Sequence, residues 1–225
     1  DVKLYMHALE SDVGRGFGDD SNPLLVSVRS GARFSMPGMM DTILNLGIND
    51  NVVEGLATLM DDRRPAFDAY RRFIQIFGNV ALGVPSAIFE DLLQERKERA
   101  EVRLDHELTE EHLLDLITDY KEAIVDNTGN EIPDDPWDQL RGAVLAVFES
   151  WNNSRAMEYR NYRGIPHDLG TAVNIMAMVF GNTGDQSGTG GLFTRNPASG
   201  QKQIYGEYLA NAQGEDGVAG VRTPD

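Results

Sequence analysis

Pro23-Leu-Leu-Val-Ser-Val-Arg-Ser-Gly-Ala-Arg-Phe-Ser-Met-Pro-Gly-Met-Met-Asp-Thr-Ile-Leu-Asn-Leu-Gly47 decides how the rest of the chain is read. Its apolar start, Leu24–Arg29, predicts a buried strand, and Thr42–Leu46 predicts a second short strand closed by Gly47. Between them lies a loop that no core requires, with Arg29, Arg33, two serines, two glycines and three methionines. A strand that delivers two arginines into such a loop can hold an anion, because backbone N–H groups and guanidiniums offer converging donors. The same pattern also suits a structural strand-loop-strand unit with solvated arginines.

Upstream, residues 1–20 read as a helix tail running into a loop with Gly14, Gly16 and Gly18. Downstream, the character changes at Asp50. Phe67, Tyr70, Phe73, Ile74 and Phe77 form a stripe at helical spacing, which is core packing rather than a stacking platform. Pro85 suits the start of another helix, with Ile88, Phe89, Leu92 and Leu93 inside. Thr109 can cap a third, with His112 where a capping box prefers Glu and Leu113, Leu116, Ile117, Tyr120 and Ile124 facing inward. The charged run Glu90–Arg103 reads as a solvated helix face. Residues 50–133 are therefore expected to be an inserted helical subdomain.

Loop signals at Asn127–Asn130 and Ile132–Pro136 precede a long helical segment over Trp137–Tyr162, with Leu140, Val144, Val147, Phe148 and Trp151 inward. Thr171–Phe180 reads as a buried strand, Gly181–Gly191 as a Gly-rich turn, and Leu192–Arg195 as a strand. Asn196–Gly200 is a hairpin turn and Lys202–Leu209 the returning strand. Within the Gly-rich turn, Ser187-Gly188-Thr189-Gly190 offers hydroxyls and backbone N–H groups suited to covering phosphates, or is simply a mobile tip. It lacks the Gly-Lys-Ser/Thr and following helix of a phosphate-binding P-loop, and it is no dinucleotide fingerprint.

Composition excludes several classes. A net charge of −16 argues against general binding to nucleic acid or anionic membranes. No apolar run approaches a membrane span, and no signal-peptide pattern opens the chain. The absence of cysteine removes disulfides, thiolate catalysis and Cys-based zinc sites, and fits a cytoplasmic protein. Of the 20 basic residues, 16 are Arg, which suits bidentate contacts to phosphate. His7, His106, His112 and His167 have no metal-ligand or triad spacing and read as structural or exposed. Glu207, Glu215 and Asp216 near the last strand could hold Mg2+ beside a phosphate site, or be plain acidic surface.

Together these blocks resemble the N-terminal nucleotide-binding domain of the pyruvate, phosphate dikinase family, over essentially the whole chain. The matching stretches are Pro23–Gly47, Tyr70–Gln75, Ser150–Asn153 with Arg155 and Tyr159-Arg160, Gly170–Asn174, Met178–Asn182, Ser187–Gly190, Phe193–Pro197, Tyr205–Leu209, Asn211–Asp216 and Arg222–Pro224. Departures are Ser154, where the family usually has Pro, and Gly191-Leu192 in place of Val-Ala. The resemblance implies an α+β, ATP-grasp-like fold. Residues 1–49 would begin its first subdomain, 134–170 return to it after the helical insertion, and 171–225 start the second.

The resemblance further implies conversion of ATP, phosphate and pyruvate to AMP, pyrophosphate and phosphoenolpyruvate through a phosphohistidine on a swivelling domain. Arg29 matches an arginine on the ATP phosphates, and it is the expected catalytic residue. Arg33 falls in the same segment, Arg72 matches a second arginine near the cleft, and Glu207 matches a nearby carboxylate. Ser187, Gly188, Thr189 and Gly190 match the phosphate-covering hairpin. The chain reads as cut from something longer, without the family's early lysine-bearing Gly-Gly-Lys-Gly segment or its Mg2+ ligands. On that reading no histidine here is the phosphocarrier, and the chain alone is inactive, monomeric and at most a weak ATP binder. Its partners would be the phosphohistidine domain and a pyruvate-binding barrel that makes the full protein a homodimer. Phosphoenolpyruvate synthase is the nearest alternative, but its loop after Val-Arg-Ser usually runs into an acidic sequence rather than Gly31–Met40. A non-catalytic binding module is the other alternative.

Overall fold

The computed structural model describes residues 1–184 and 186–214. Glu215, Asp216 and the 222–224 stretch lie outside the described residues. Helix α1 (Val2–Val13) ends on Gly14 in the left-handed region. Two-residue strands β1 (Gly16–Phe17) and β2 (Pro23–Leu24) pair in parallel. Strands β3 (Val26–Gly31) and β4 (Thr42–Leu46) follow, then helices α2 (Val52–Met60), α3 (Arg63–Val80), α4 (Ser86–Arg99) and α5 (Glu110–Thr128). Helices α6 (Pro136–Glu149) and α7 (Ser154–Arg163) lead to strands β5 (Ala172–Ala177), β6 (Gly188–Phe193) and β7 (Tyr205–Ala210). The mixture of helix and strand is the α+β class expected. None of the described helices is long and apolar enough to cross a membrane.

Helix starts follow local chemistry. Asp62 caps α3 by accepting from the Arg64 N–H, and Asp135 caps α6 with Pro136 in the first turn. At α5, Thr109 Oγ1 accepts from the His112 N–H while His112 Nδ1 accepts from the Thr109 N–H, both at 3.4 Å. The imidazole thus takes the part a glutamate usually plays in a capping box.

Strand β3 is the middle of an antiparallel sheet ordered β4-β3-β5. Alternation along β3 sends Val26 and Val28 into the core and Ser27 and Arg29 to the other face. Arg29 stands opposite Thr42 on β4 and Asn174 on β5. Opposite β4 the register shifts between Val26 and Val28, and Asn45 there adopts φ 59°. Helix α6 packs on β3 and β4, and α3 packs on β4. One continuous apolar cluster joins Val26, Val28 and Ile43 of the sheet to Phe67, Phe73, Leu116 and Tyr120 of the helices. A separate small cluster gathers Met36, Trp151, Ala156 and Ile165, with Met39 and Met40 against it.

Five expectations are corrected. The helix expected over Trp137–Tyr162 is two helices, α6 and α7, separated by a 3-10 turn at Ser150–Asn152. The break has a local cause: the Asn153 side chain accepts from the Ala156 N–H at 2.8 Å and caps a new helix. Phe148, expected inside, is 45% exposed. Thr171–Phe180 is not a buried strand, because β5 is a sheet edge and its residues alternate between exposed and half-buried. The Gly-rich turn is also shorter than expected: Gly188, Thr189, Gly190 and Gly191 already belong to β6, which pairs antiparallel with β7 in its own ribbon. Finally, the returning strand starts at Tyr205 rather than Lys202.

Candidate functional site

A cleft of about 750 Å3 lies on the Arg29 face of the sheet. Its lining comes from β3 (Ser27, Arg29), β4 (Thr42, Leu44), α3 (Arg71, Arg72, Gln75, Ile76), Leu93 of α4, Asp105, β5 and the residues after it (Met176 to Phe180), and Thr189, Gln213 and Gly214. One wall is therefore cationic and the other apolar.

The cationic wall rests on a buried carboxylate. Asp68 Oδ1 accepts from Arg71 Nη2 at 2.7 Å and Nε at 3.1 Å, and Asp68 Oδ2 accepts from Arg72 Nε at 3.1 Å. Burial pushes the Asp68 carboxyl up, but the Arg71 and Arg72 guanidiniums outweigh it and hold it well below the usual carboxylate range. Burial also lowers Arg71, and Asp68 more than reverses that, so Arg71 ends above its ordinary value. Arg71 donates further to Gln75 Oε1 at 2.9 Å and lies 3.7 Å from Asp105, which Lys97 holds at 3.1 Å. These contacts fix both arginines at the cleft wall.

Arg29 is placed differently. Its side chain is exposed, its Nε donates to Ser27 Oγ at 3.3 Å, and it meets no carboxylate among the described residues. An exposed guanidinium on a rigid strand, aimed into a cleft, has donors left for an anion.

Of the residues singled out from the sequence, Arg29, Arg72 and Thr189 line this cleft; Arg33, Ser187, Gly188, Gly190 and Glu207 are not among its lining. Arg33 is exposed on the loop after β3. The Ser187 hydroxyl works inside its own turn, accepting from the Thr183 N–H at 2.9 Å and lying within donor reach of the Gly181 and Gly184 carbonyls. Glu207 faces Gly191 across the ribbon and is exposed.

Sequence reasoning gave no role to Asp68, Arg71 or Gln75. The signal was present: an Asp with Arg three and four residues on, inside an otherwise apolar helical stripe, is a polar ladder on a buried face. The lining of the cleft includes a single carboxylate, Asp105, already bound by Lys97. Among the described residues no group of three or more Asp, Glu or His could hold a metal ion.

Comparison with known proteins gives one consistent answer. The family model described as the pyruvate phosphate dikinase AMP/ATP-binding domain matches residues 1–225. Pyruvate, phosphate dikinase of Clostridium symbiosum is 57% identical over 220 residues, covering 96% of this chain and 25% of that protein. The chloroplastic protein of the same name from Mesembryanthemum crystallinum is 53% identical over 220 residues, covering 98% and 23%. That of Rhizobium meliloti (strain 1021) is 55% identical over 216 residues, covering 96% and 24%. The chain spans about a quarter of the length of these curated relatives.

Proposed function

The chain belongs to the pyruvate phosphate dikinase AMP/ATP-binding domain family, and we propose that its cleft binds the phosphates of ATP for the dikinase reaction. In that reaction ATP, phosphate and pyruvate give AMP, pyrophosphate and phosphoenolpyruvate, with a histidine elsewhere in the polypeptide carrying the phosphoryl group. The observation that carries the reading is the meeting of Arg29 with the Asp68-anchored Arg71 and Arg72 on one cleft whose other wall is apolar.

The chemistry fits this equipment. Phosphoryl transfer depends mostly on positioning and on neutralising charge as it shifts between oxygens. Arg71 and Arg72, held in place, would cradle the phosphates without reorganising. Arg29, with donors to spare, would follow the charge that develops in the transition state. Leu44, Ile76, Met176 and Met178 offer an apolar surface for the base. Arg33, Ser187, Gly188, Gly190 and Glu207 would reach the nucleotide only if the loop or the ribbon closes over it. Mg2+ belongs to the proposal as the companion of ATP. The described lining supplies no carboxylate set for it, so no step is assigned to it.

We read the architecture as ATP-grasp-like, with the sheet β4-β3-β5 and the ribbon β6–β7 flanking the cleft and residues 50–133 as a helical insertion. The decisive experiment is turnover in the full-length protein. ATP consumption that requires both pyruvate and inorganic phosphate supports the proposal. Consumption that requires pyruvate but not phosphate would assign the chain to a phosphoenolpyruvate synthase instead.

A further inference from the structure

The loop after Arg29 is held from behind by a group of residues with no role in the cleft. Trp151, Met36, Met39 and Met40 share the second apolar cluster. Arg160 of α7 lies over the Trp151 ring, 4.0 Å from its centre, and is 1% exposed. Its Nη1 donates to the Trp151 carbonyl, its Nε donates to His167 Nδ1 at 3.0 Å, and its Nη2 has no hydrogen-bond partner. Burial lowers its pKa, and it meets no carboxylate among the described residues. The indole closes the ring of contacts by donating from Nε1 to the His167 carbonyl at 3.0 Å.

His167 is the acceptor on which this arrangement turns. Because Nδ1 accepts from Arg160, the ring proton sits on Nε2, which donates to Asn161 Oδ1 at 2.9 Å. Protonated His167 would turn an N–H toward the Arg160 N–H and set two cations against each other. His167 is exposed, and among the described residues its ring's hydrogen-bond partners are Arg160 and Asn161 of α7, with Trp151 meeting its backbone; Asp168 adjoins it in the chain and Arg163 ends α7. The segment after His167 reaches the end of β3, where the loop begins: Thr171 Oγ1 accepts from the Gly31 N–H at 3.3 Å.

We propose that Arg160 is a positioning residue for the loop of residues 32–41 between β3 and β4 and that unprotonated His167 holds it in place, so that acid loosens the loop. The loop-order half of this stands on the contacts above; its effect on catalysis rests on the ATP reading of Arg29 and Arg33. The test is hydrogen exchange by mass spectrometry on the full-length protein at pH 7.5 and 5.5, corrected for intrinsic exchange, following peptides over residues 32–41. His167→Asn is the comparison, because its carboxamide oxygen can accept from Arg160 and does not titrate.

Wild-type protection in the loop should fall by about tenfold between pH 7.5 and 5.5. The His167→Asn variant should change little. Unchanged protection in the wild type, or an equal fall in the variant, overturns the proposal. A fall confined to the wild type while KM for ATP stays constant supports the clamp and counts against the ATP reading of the loop.

Discussion

Arg72 reaches the cleft wall with its Nε bonded at 3.1 Å to Asp68, a carboxylate with 4% of its side chain exposed. The pair shows how a cationic site is built into an apolar helix. Residues three and four apart along α3, Ala66, Tyr70, Phe73 and Phe77, fill the core, and Asp68 is the counter-ion that allows Arg71 to lie 3% exposed beside them. A buried cation without that partner would bear its full desolvation cost.

Asp68→Asn should therefore destabilise the protein at neutral pH by about 3–5 kcal/mol, the usual result of removing one partner of a buried ion pair. It should also change the acid limb of stability. The folded carboxyl sits below its ordinary value, so its contribution is complete above about pH 4 and disappears as pH falls through the folded value. Urea unfolding between pH 7 and 3 should show a steeper acid loss in the wild type than in the variant. Parallel curves would mean that Asp68 is not the group that couples folding to protons.

Arg29 calls for the opposite outcome. It is exposed and bonded only to Ser27 Oγ among the described contacts. Arg29→Ala should leave Tm close to wild type, as exposed substitutions generally do. On the proposed ATP-phosphate role of Arg29, ATP-dependent phosphorylation of the full-length protein should nonetheless fall by about 100-fold or more, the usual loss on removing one donor to developing charge. Unfolding of the variant would show Arg29 to be a structural residue.

What the sequence disclosed, and what it hid, has a physical pattern. The strand Thr42–Leu46 and the inward face of α3 were legible because local periodicity determines them. The edge status of β5 was not, because an apolar run reads alike whether one face or both are covered, and coverage is decided by residues far away in the chain. The break at Asn153 was signalled by its type and by the polar run Asn152-Asn153-Ser154, but masked by the helical apolar spacing that runs up to Trp151. For the site, Arg29 and Arg72 were legible through resemblance, and Thr189 came with its Gly-rich neighbours. Asp68 and Arg71 were not, because nothing local says which face of a helix will border a cleft.

Asn153 performs two tasks that one substitution can separate. Its Oδ1 caps α7, and its Nδ2 donates to the Met39 carbonyl at 3.0 Å. Asn153→Ala should cost about 1 kcal/mol for the cap and also loosen the loop. Asn153→Ser keeps a good cap and loses the Met39 bond, so it should restore stability to near wild type while loop exchange remains raised. Chemical denaturation and hydrogen exchange over residues 36–41 read the two effects independently. Equal behaviour of the two variants in both measurements would show that the Met39 bond contributes nothing.

The glycines of β6 separate in the same way, by what stands in front of them. A Cβ on Gly190 would lie 2.4 Å from the Glu207 carbonyl oxygen, a backbone atom held by the ribbon's own pairing. A Cβ on Gly188 would lie 2.3 Å from the Tyr208 hydroxyl, the far end of a side chain that is 53% exposed and free to swing outward. Gly190→Ala should therefore disrupt the β6–β7 pairing, seen as raised exchange over residues 188–193 and 205–210, and lower ATP-dependent phosphorylation. Gly188→Ala should be tolerated once Tyr208 moves, and any loss it shows should be relieved by adding Tyr208→Ala. Neither glycine has a positive φ, so the difference between the two variants arises from contact and not from backbone strain. If Gly188→Ala is as damaging as Gly190→Ala and Tyr208→Ala brings no relief, the close approach of the Tyr208 ring is not what reserves that position for glycine.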